Sequence, residues 1–195
     1  ENVPGIQKVR GKYGPFHEFV RSLKKLGYHS PGARVVAAQD YGVPQMRRRL
    51  VYIASRLGAL SFPEPTHGPR KEIPFRTVRD ALREPSLLPP LRAGETCPDN
   101  RYQNHRAAQL SALNLERMSS TPHDGGDRSR WPESLQPSCY LPKTNGQTHT
   151  GHTDVYGRLF WDRPATGLTT RCISISNGRF GHPVEDRVIS VREAA

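Results

Sequence analysis

Cysteine is scarce in this 195-residue chain. There are three in all, Cys97, Cys139 and Cys172, far apart and with no Cys-x-x-Cys pair. An odd, sparse count excludes a disulfide-stapled scaffold and fits free thiols in a reducing compartment, so a cytoplasmic location is expected. Long apolar runs are missing too. No stretch approaches the roughly 18 residues that span a bilayer, so no membrane role is expected, and no signal-peptide pattern is visible. Only 34% of residues are hydrophobic, which predicts a modest core. Acid is short: 18 Asp+Glu against 29 Lys+Arg leave a formal charge of +11. Such an excess bears on partners rather than fold, and phosphate backbones are the commonest partner.

What is plentiful is punctuation, 18 prolines and 17 glycines. The first 56 residues are the most regular. In PFHEFVRSLKKLGY, the residues Phe16, Phe19, Val20, Leu23 and Leu26 recur at helical spacing, and Gly27 is placed to end the helix. ARVVAAQ (33–39) predicts a strand, DYGVPQ a turn and RRRLVYIASR (47–56) a second strand. From about residue 60 the chain becomes proline-rich loop with short helices. One is TVRDALRE, with Thr77 as N-cap and Asp80 three residues on. Another is HRAAQLSALNLERM (105–118), and a last one starts at Ser190, with Glu193 completing a capping box. The stretch from 121 to 158 has almost no periodicity, yet Trp131, Tyr140, Tyr156 and several arginines argue against plain disorder.

Three motifs follow one another. ENV occupies residues 1–3. A Gln-x-Arg-x-Arg pattern runs through Gln45, Arg47 and Arg49. RPATGLTTRC then leads into NGRFGHP and SVREAA. Each is common alone. In this order and spacing they resemble the later half of the cytosine-C5 DNA methyltransferases, strongly over residues 1–6, 40–56 and 156–195 and weakly across roughly 60–150. The resemblance implies an α/β fold: the C-terminal part of a Rossmann-like S-adenosylmethionine-dependent sheet, plus a small, loop-rich target-recognition domain. Residues 1–58 would hold the later strands and helix of the catalytic domain. Residues 59–155 would form the recognition domain, and 156–195 would return to the catalytic domain.

The chemistry explains the residue types. In this family a cysteine thiolate adds to C6 of a cytosine flipped out of the duplex, and charge develops at N3 and O2 of the ring. A carboxyl group sharing a proton at N3 and an arginine held at O2 relieve that charge. By resemblance Glu1 is the N3 partner and Asn2 shapes the strand end. Arg49 meets O2, Arg47 aids it, and Gln45 orders the turn. Strand alternation puts Arg47 and Arg49 on one face and Arg48 on the other. Double-stranded DNA would be held by Arg128, Arg130, Lys143, Arg158, Arg163, Thr166, Thr169 and Arg171, by phosphate and base-edge contacts.

Two departures stand out. The family's Pro-x-x-Thr-Leu signature appears as Pro164-Ala165-Thr166-Gly167-Leu168, with Gly167 in place of a threonine hydroxyl. More consequential, the glycine-rich cofactor loop and the Pro-Cys nucleophile lie upstream of ENV in the family, and none of the three cysteines follows a proline. S-adenosylmethionine would then be bound mainly by a missing N-terminal half, with no cofactor-binding residue here. The chain, opening on Glu1 instead of Met and ending in SVREAA, is expected to be a piece of a longer enzyme. It is expected to be inactive alone, prone to self-association through open strands, and located with the nucleoid. Cys139, His149 and His152 lack the paired spacing and fourth ligand of a zinc site, so no metal is expected. The rival reading is a non-catalytic DNA-recognition subunit of a split methyltransferase. A basic RNA-binding protein would show interleaved stacking aromatics, which are lacking.

Overall fold

The computed structural model describes residues 1–82, 88–141 and 154–195. It is a mixed α/β chain that divides into two compact units, Glu1–Phe75 and Arg76–Ala195.

In the first unit a 3-10 turn (Pro4–Lys8) precedes helix α1 (Pro15–Lys25). Pro15 suits the first helical position, where an N–H has no intrahelical acceptor. Gly27 stops the helix as its position in the sequence predicts. At φ +80° it allows Gly27 N–H to donate to Lys24 O and Tyr28 N–H to Leu23 O, the paired bonds of a Schellman ending. Strand β1 (Ala33–Ala37) then pairs antiparallel with β3 (Arg48–Tyr52), Val36 opposite Arg49 and Val35 opposite Leu50. Between them lie a 3-10 turn (Ala38–Tyr41) and a two-residue strand, β2 (Gln45–Met46). Both long strands are shorter than the sequence suggests. The first gives way at Ala38 to the 3-10 turn, which Gly42 closes at φ +85°. The second continues past Tyr52 only as a bridge between Ser55 and His29. Phe16 and Phe19 of α1 meet the Tyr52 ring edge-on, with centroids 6.2 and 5.9 Å apart. Leu50 is the fully buried apolar side chain of this unit, while Phe19 stays 52% and Leu26 63% exposed.

The second unit holds the larger core. Val78, Leu159, Ala165, Phe180 and Ile189 form one cluster, and Leu110, Met118, Ile175 and Val188 form another. Helix α2 (Val78–Leu82) carries the expected cap, Thr77 N–H donating to Asp80 Oδ2 at 2.8 Å and Asp80 N–H to Thr77 Oγ1 at 3.3 Å. The helix expected over 105–118 is a correction. Only α3 (Ala112–Ser119) is helical, and Ser111 caps it. The preceding residues are extended, because Cys97 N–H bonds His105 O and Ala107 N–H bonds Glu95 O. His105 is itself buried, its ring donating through Nε2 to Pro89 O at 2.8 Å and accepting Ser190 O–H at Nδ1. Helix α4 (Val191–Ala194) shows the complete capping box of Ser190 and Glu193.

Three arginines are buried in this unit, and each is fully engaged. Arg158 donates to the carbonyls of Thr121, Met118, His182 and Glu185 and to the Asp186 carboxylate, which uses all five of its N–H groups. Arg187 grips Glu193 through two bonds of 2.6 and 2.8 Å. Arg179 donates to Gly125 O and Arg158 O. Gly125 sits at φ +87° beneath the Phe160 ring, where any Cβ would collide. Arg158 was expected at DNA. That expectation does not hold, because a side chain with no exposed surface and no free donor cannot meet a phosphate.

His182 accepts Glu185 N–H at Nδ1, so its proton sits on Nε2, facing Glu185 and Glu193. Burial first, then the positive charge of Arg187, push its pKa down to about 4, against the pull of Glu185 and Glu193. Burial would raise the Glu193 carboxyl, but the Arg187 bonds hold it at about 2.

Both groups bind fewer protons folded than unfolded, so stability should rise with pH. The His182 contribution should be lost between about pH 6.5 and 4, and the Glu193 contribution between about 4.5 and 2. Thermal unfolding followed from pH 7 to 4 should show a loss on the order of 2–3 kcal/mol, which His182→Gln flattens. Arg158→Leu takes the donor from the Thr121 and His182 carbonyls, a second donor from those of Met118 and Glu185, and the partner from the Asp186 carboxylate, and should cost roughly 3–5 kcal/mol in urea unfolding.

Candidate functional site

The N-terminal segment is laid along the outer edge of β3. Asn2 N–H donates to Leu50 O at 2.9 Å and Leu50 N–H to Asn2 O at 2.8 Å, an antiparallel bridge. Asn2 Oδ1 also accepts Val3 N–H at 2.8 Å and turns the chain into the following 3-10 segment. This brings Glu1 beside Arg49, with Nε 2.8 Å from Oε1. The Glu1 side chain is 59% and the Arg49 side chain 28% exposed, so the pair borders solvent. A second guanidinium nitrogen of Arg49 donates to Arg48 O at 2.9 Å, which fixes the plane of the group. Beside the pair is a cleft of about 340 Å³ lined by Glu1, Asn2, Phe16, Phe19, Leu50 and Tyr52. One wall is apolar, and the rim carries one carboxylate.

The remaining strand residues fall nearby in sequence but differ in setting. Arg47 is half-buried at the turn before β3, and its carbonyl accepts Ala38 N–H. Arg48 is exposed. Gln45 is half-buried, and its carbonyl accepts Arg47 N–H at 3.0 Å. The structure thus brings Glu1, Asn2 and Arg49 together.

In the second unit the expected DNA residues separate by environment. Arg130, Arg163, Thr169 and Arg171 are exposed. The Arg163 guanidinium lies 4.3 Å from the Phe160 centroid, and Thr169 Oγ1 accepts Arg171 N–H. Arg128 is half-buried, stacked on Tyr140 at 3.6 Å and bonded to Gln136. Thr166 is half-buried and opens on a polar cleft of about 440 Å³ shared with Asp154, Ser176, Asn177 and Arg179. Sequence reading passed over Ser176 and Asn177. Their one signal was the polar turn in ISISNGRF. Lys143 lies outside the described residues, as do His149 and His152. Among the described residues no cluster of His, Cys, Asp and Glu could hold a metal. Cys97 is buried, Cys139 exposed and Cys172 partly buried. Among the described residues no helix is long and apolar enough to cross a membrane.

The family model for C-5 cytosine-specific DNA methylases matches residues 1–195. The type II methylase M.HgiDII of Herpetosiphon aurantiacus is 42% identical over all of this chain and 51% of its own length. The type II methyltransferase M1.HphI of Haemophilus parahaemolyticus is 33% identical over 91% of this chain and 40% of its own length. M1.BsuMI of Bacillus subtilis (strain 168) is 31% identical over 100% of this chain and 40% of its own length. The chain therefore spans about half or less of the length of these relatives. With the family model covering every residue and the ENV carboxylate lying against the last arginine of Gln-x-Arg-x-Arg, this chain belongs to the C-5 cytosine-specific DNA methylases.

Proposed function

We propose that this chain is the later half of a DNA (cytosine-5)-methyltransferase acting on a flipped cytosine in duplex DNA. The observation that supports it best is the 2.8 Å contact of Arg49 with Glu1, which itself lines an open cleft. When the thiolate adds to C6, Glu1 shares a proton at N3 and Arg49 stabilises charge at O2. A guanidinium already held by Glu1 and by Arg48 O has little reorganisation left to make as that charge develops. Arg47 supports Arg49, Gln45 holds the turn, and Asn2 positions Glu1.

The first unit then contributes late strands of a Rossmann-like sheet, and the second unit reads DNA. Arg130, Arg163, Thr169 and Arg171 serve phosphates and base edges, with Arg128 and Thr166 more constrained. S-adenosylmethionine supplies the methyl group in the whole enzyme. The residues present do not fit it: the cleft by Glu1 is walled by Phe16, Phe19 and Leu50, and no glycine-rich turn lines it. The remaining half of the enzyme would bring the nucleophile and the cofactor site. The half-exposed apolar residues Phe19, Leu26 and Val35 support such a covering layer. An enzyme of this kind would work in the cytoplasm on the nucleoid.

The test is to express the whole enzyme of which this chain is the later half in cells lacking cytosine methylation and to bisulfite-sequence a resident plasmid. Methylation at one fixed motif is the expected result. Arg49→Ala should lower methyl transfer by about 10²–10³-fold. Unmodified DNA from soluble, well-expressed protein would favour the non-catalytic recognition module instead. The 195 residues alone should transfer no methyl group from labelled cofactor, and transfer by them would contradict this reading.

A further inference from the structure

Residues 8–25 gather six cations, Lys8, Arg10, Lys12, Arg21, Lys24 and Lys25, against the single carboxylate of Glu18. All six are exposed. Among the described residues none of them is ion-paired with a carboxylate, although elsewhere in the chain Arg49, Arg79, Arg101, Arg158, Arg179 and Arg187 all are. At about 100° per residue, His17, Arg21, Lys24 and Lys25 fall within one arc of about 100° on α1. Phe16 and Phe19, which meet Tyr52, lie outside that arc. Arg21 donates to Lys12 O at 3.2 Å, which draws the preceding turn against the basic face. Lys12 in turn lies 5.2 Å from the Tyr13 ring, itself 69% exposed.

The negative end of the helix accounts for Lys24 and Lys25 in the last turn. It gives no reason for Arg21, Lys12, Arg10 or Lys8. Like charges gathered this closely repel each other unless a counter-charge covers them, and one small anion would occupy only one or two. A polymer of phosphates would occupy them all.

We infer that this face of the first unit is a phosphate-gripping surface for duplex DNA, separate from the bases being read and from the Glu1–Arg49 pair. The inference rests on the reading that the enzyme acts on DNA. The surface supplies sequence-independent affinity: it anchors flanking backbone while other residues select the site.

The experiment measures binding of the 195-residue chain to a fluorescent duplex of arbitrary sequence across a salt series. Each phosphate left without its cation should reduce the log–log salt slope by about 0.9. The variant carrying Lys12→Gln, Arg21→Gln, Lys24→Gln and Lys25→Gln should lower the slope by about 2–4 and weaken binding equally on unrelated sequences. The exposed pair Lys24→Gln/Lys25→Gln alone should lower it by about 1–2, which keeps the test decisive if the fourfold variant folds poorly. An unchanged slope in a folded variant, with wild type binding, overturns the inference and leaves the DNA reading standing. No binding of DNA by wild type at any salt overturns both. Equal binding of duplex RNA, abolished by the same substitutions, would assign the surface to RNA and overturn the inference.

Discussion

Two backbone hydrogen bonds between Asn2 and Leu50 hold the candidate site together. They join a segment before α1 to a strand almost fifty residues later, and they do so at the edge of β3 that β1 leaves free. Leu50 is 2% exposed, and its burial fixes which face of β3 turns inward. A shift of one residue would send Leu50 outward and Arg49 to the opposite face. The pairing of Val36 with Arg49 and the packing of Phe16 and Phe19 on Tyr52 oppose that shift. The nearness of Glu1 to Arg49 is thus a consequence of register. Their mutual attraction adds little at a partly exposed site.

Arginine does two kinds of work in this chain, and burial separates them. Arg158, Arg179 and Arg187 tie carbonyls and carboxylates together inside the second unit, where regular secondary structure is scarce among the described residues. A guanidinium can satisfy several carbonyl oxygens at once, so it supplements the short strand and isolated bridges found among the described residues of this unit. The same engagement removes these residues from any partner. Exposed arginines and lysines carry the excess charge outward, and it is these that can meet phosphate.

Periodicity and caps were legible where the signal is local. Helix α1 with its Gly27 stop, the Thr77–Asp80 cap and the Ser190–Glu193 box all follow from residues within one turn of each other. The hairpin of β1 and β3 was legible too, though Ala38–Tyr41 winds into a 3-10 turn that no apolar pattern announces. The extended run before Ser111 was missed because its backbone partners, Glu95 and Cys97, stand about ten residues away and carry no periodic signal. Arg158 was misread for a related reason. A buried arginine and a phosphate-binding one look identical in sequence, and only the carbonyls of residues 118, 121, 182 and 185 tell them apart. Within the site, alternation alone suggested that Arg47 and Arg49 share a face. The bond between Asn2 and Leu50, which puts Glu1 there as well, could not be read from spacing.

The most direct measurement on the central claim is a double-mutant cycle on single-turnover methyl transfer, using Glu1→Gln, Arg49→Met and the pair in the active enzyme. If the two groups act on one base, the double variant should be scarcely slower than the worse single variant, because either loss already disables the shared step. Costs that simply multiply would mean the two side chains act independently, and would contradict the account.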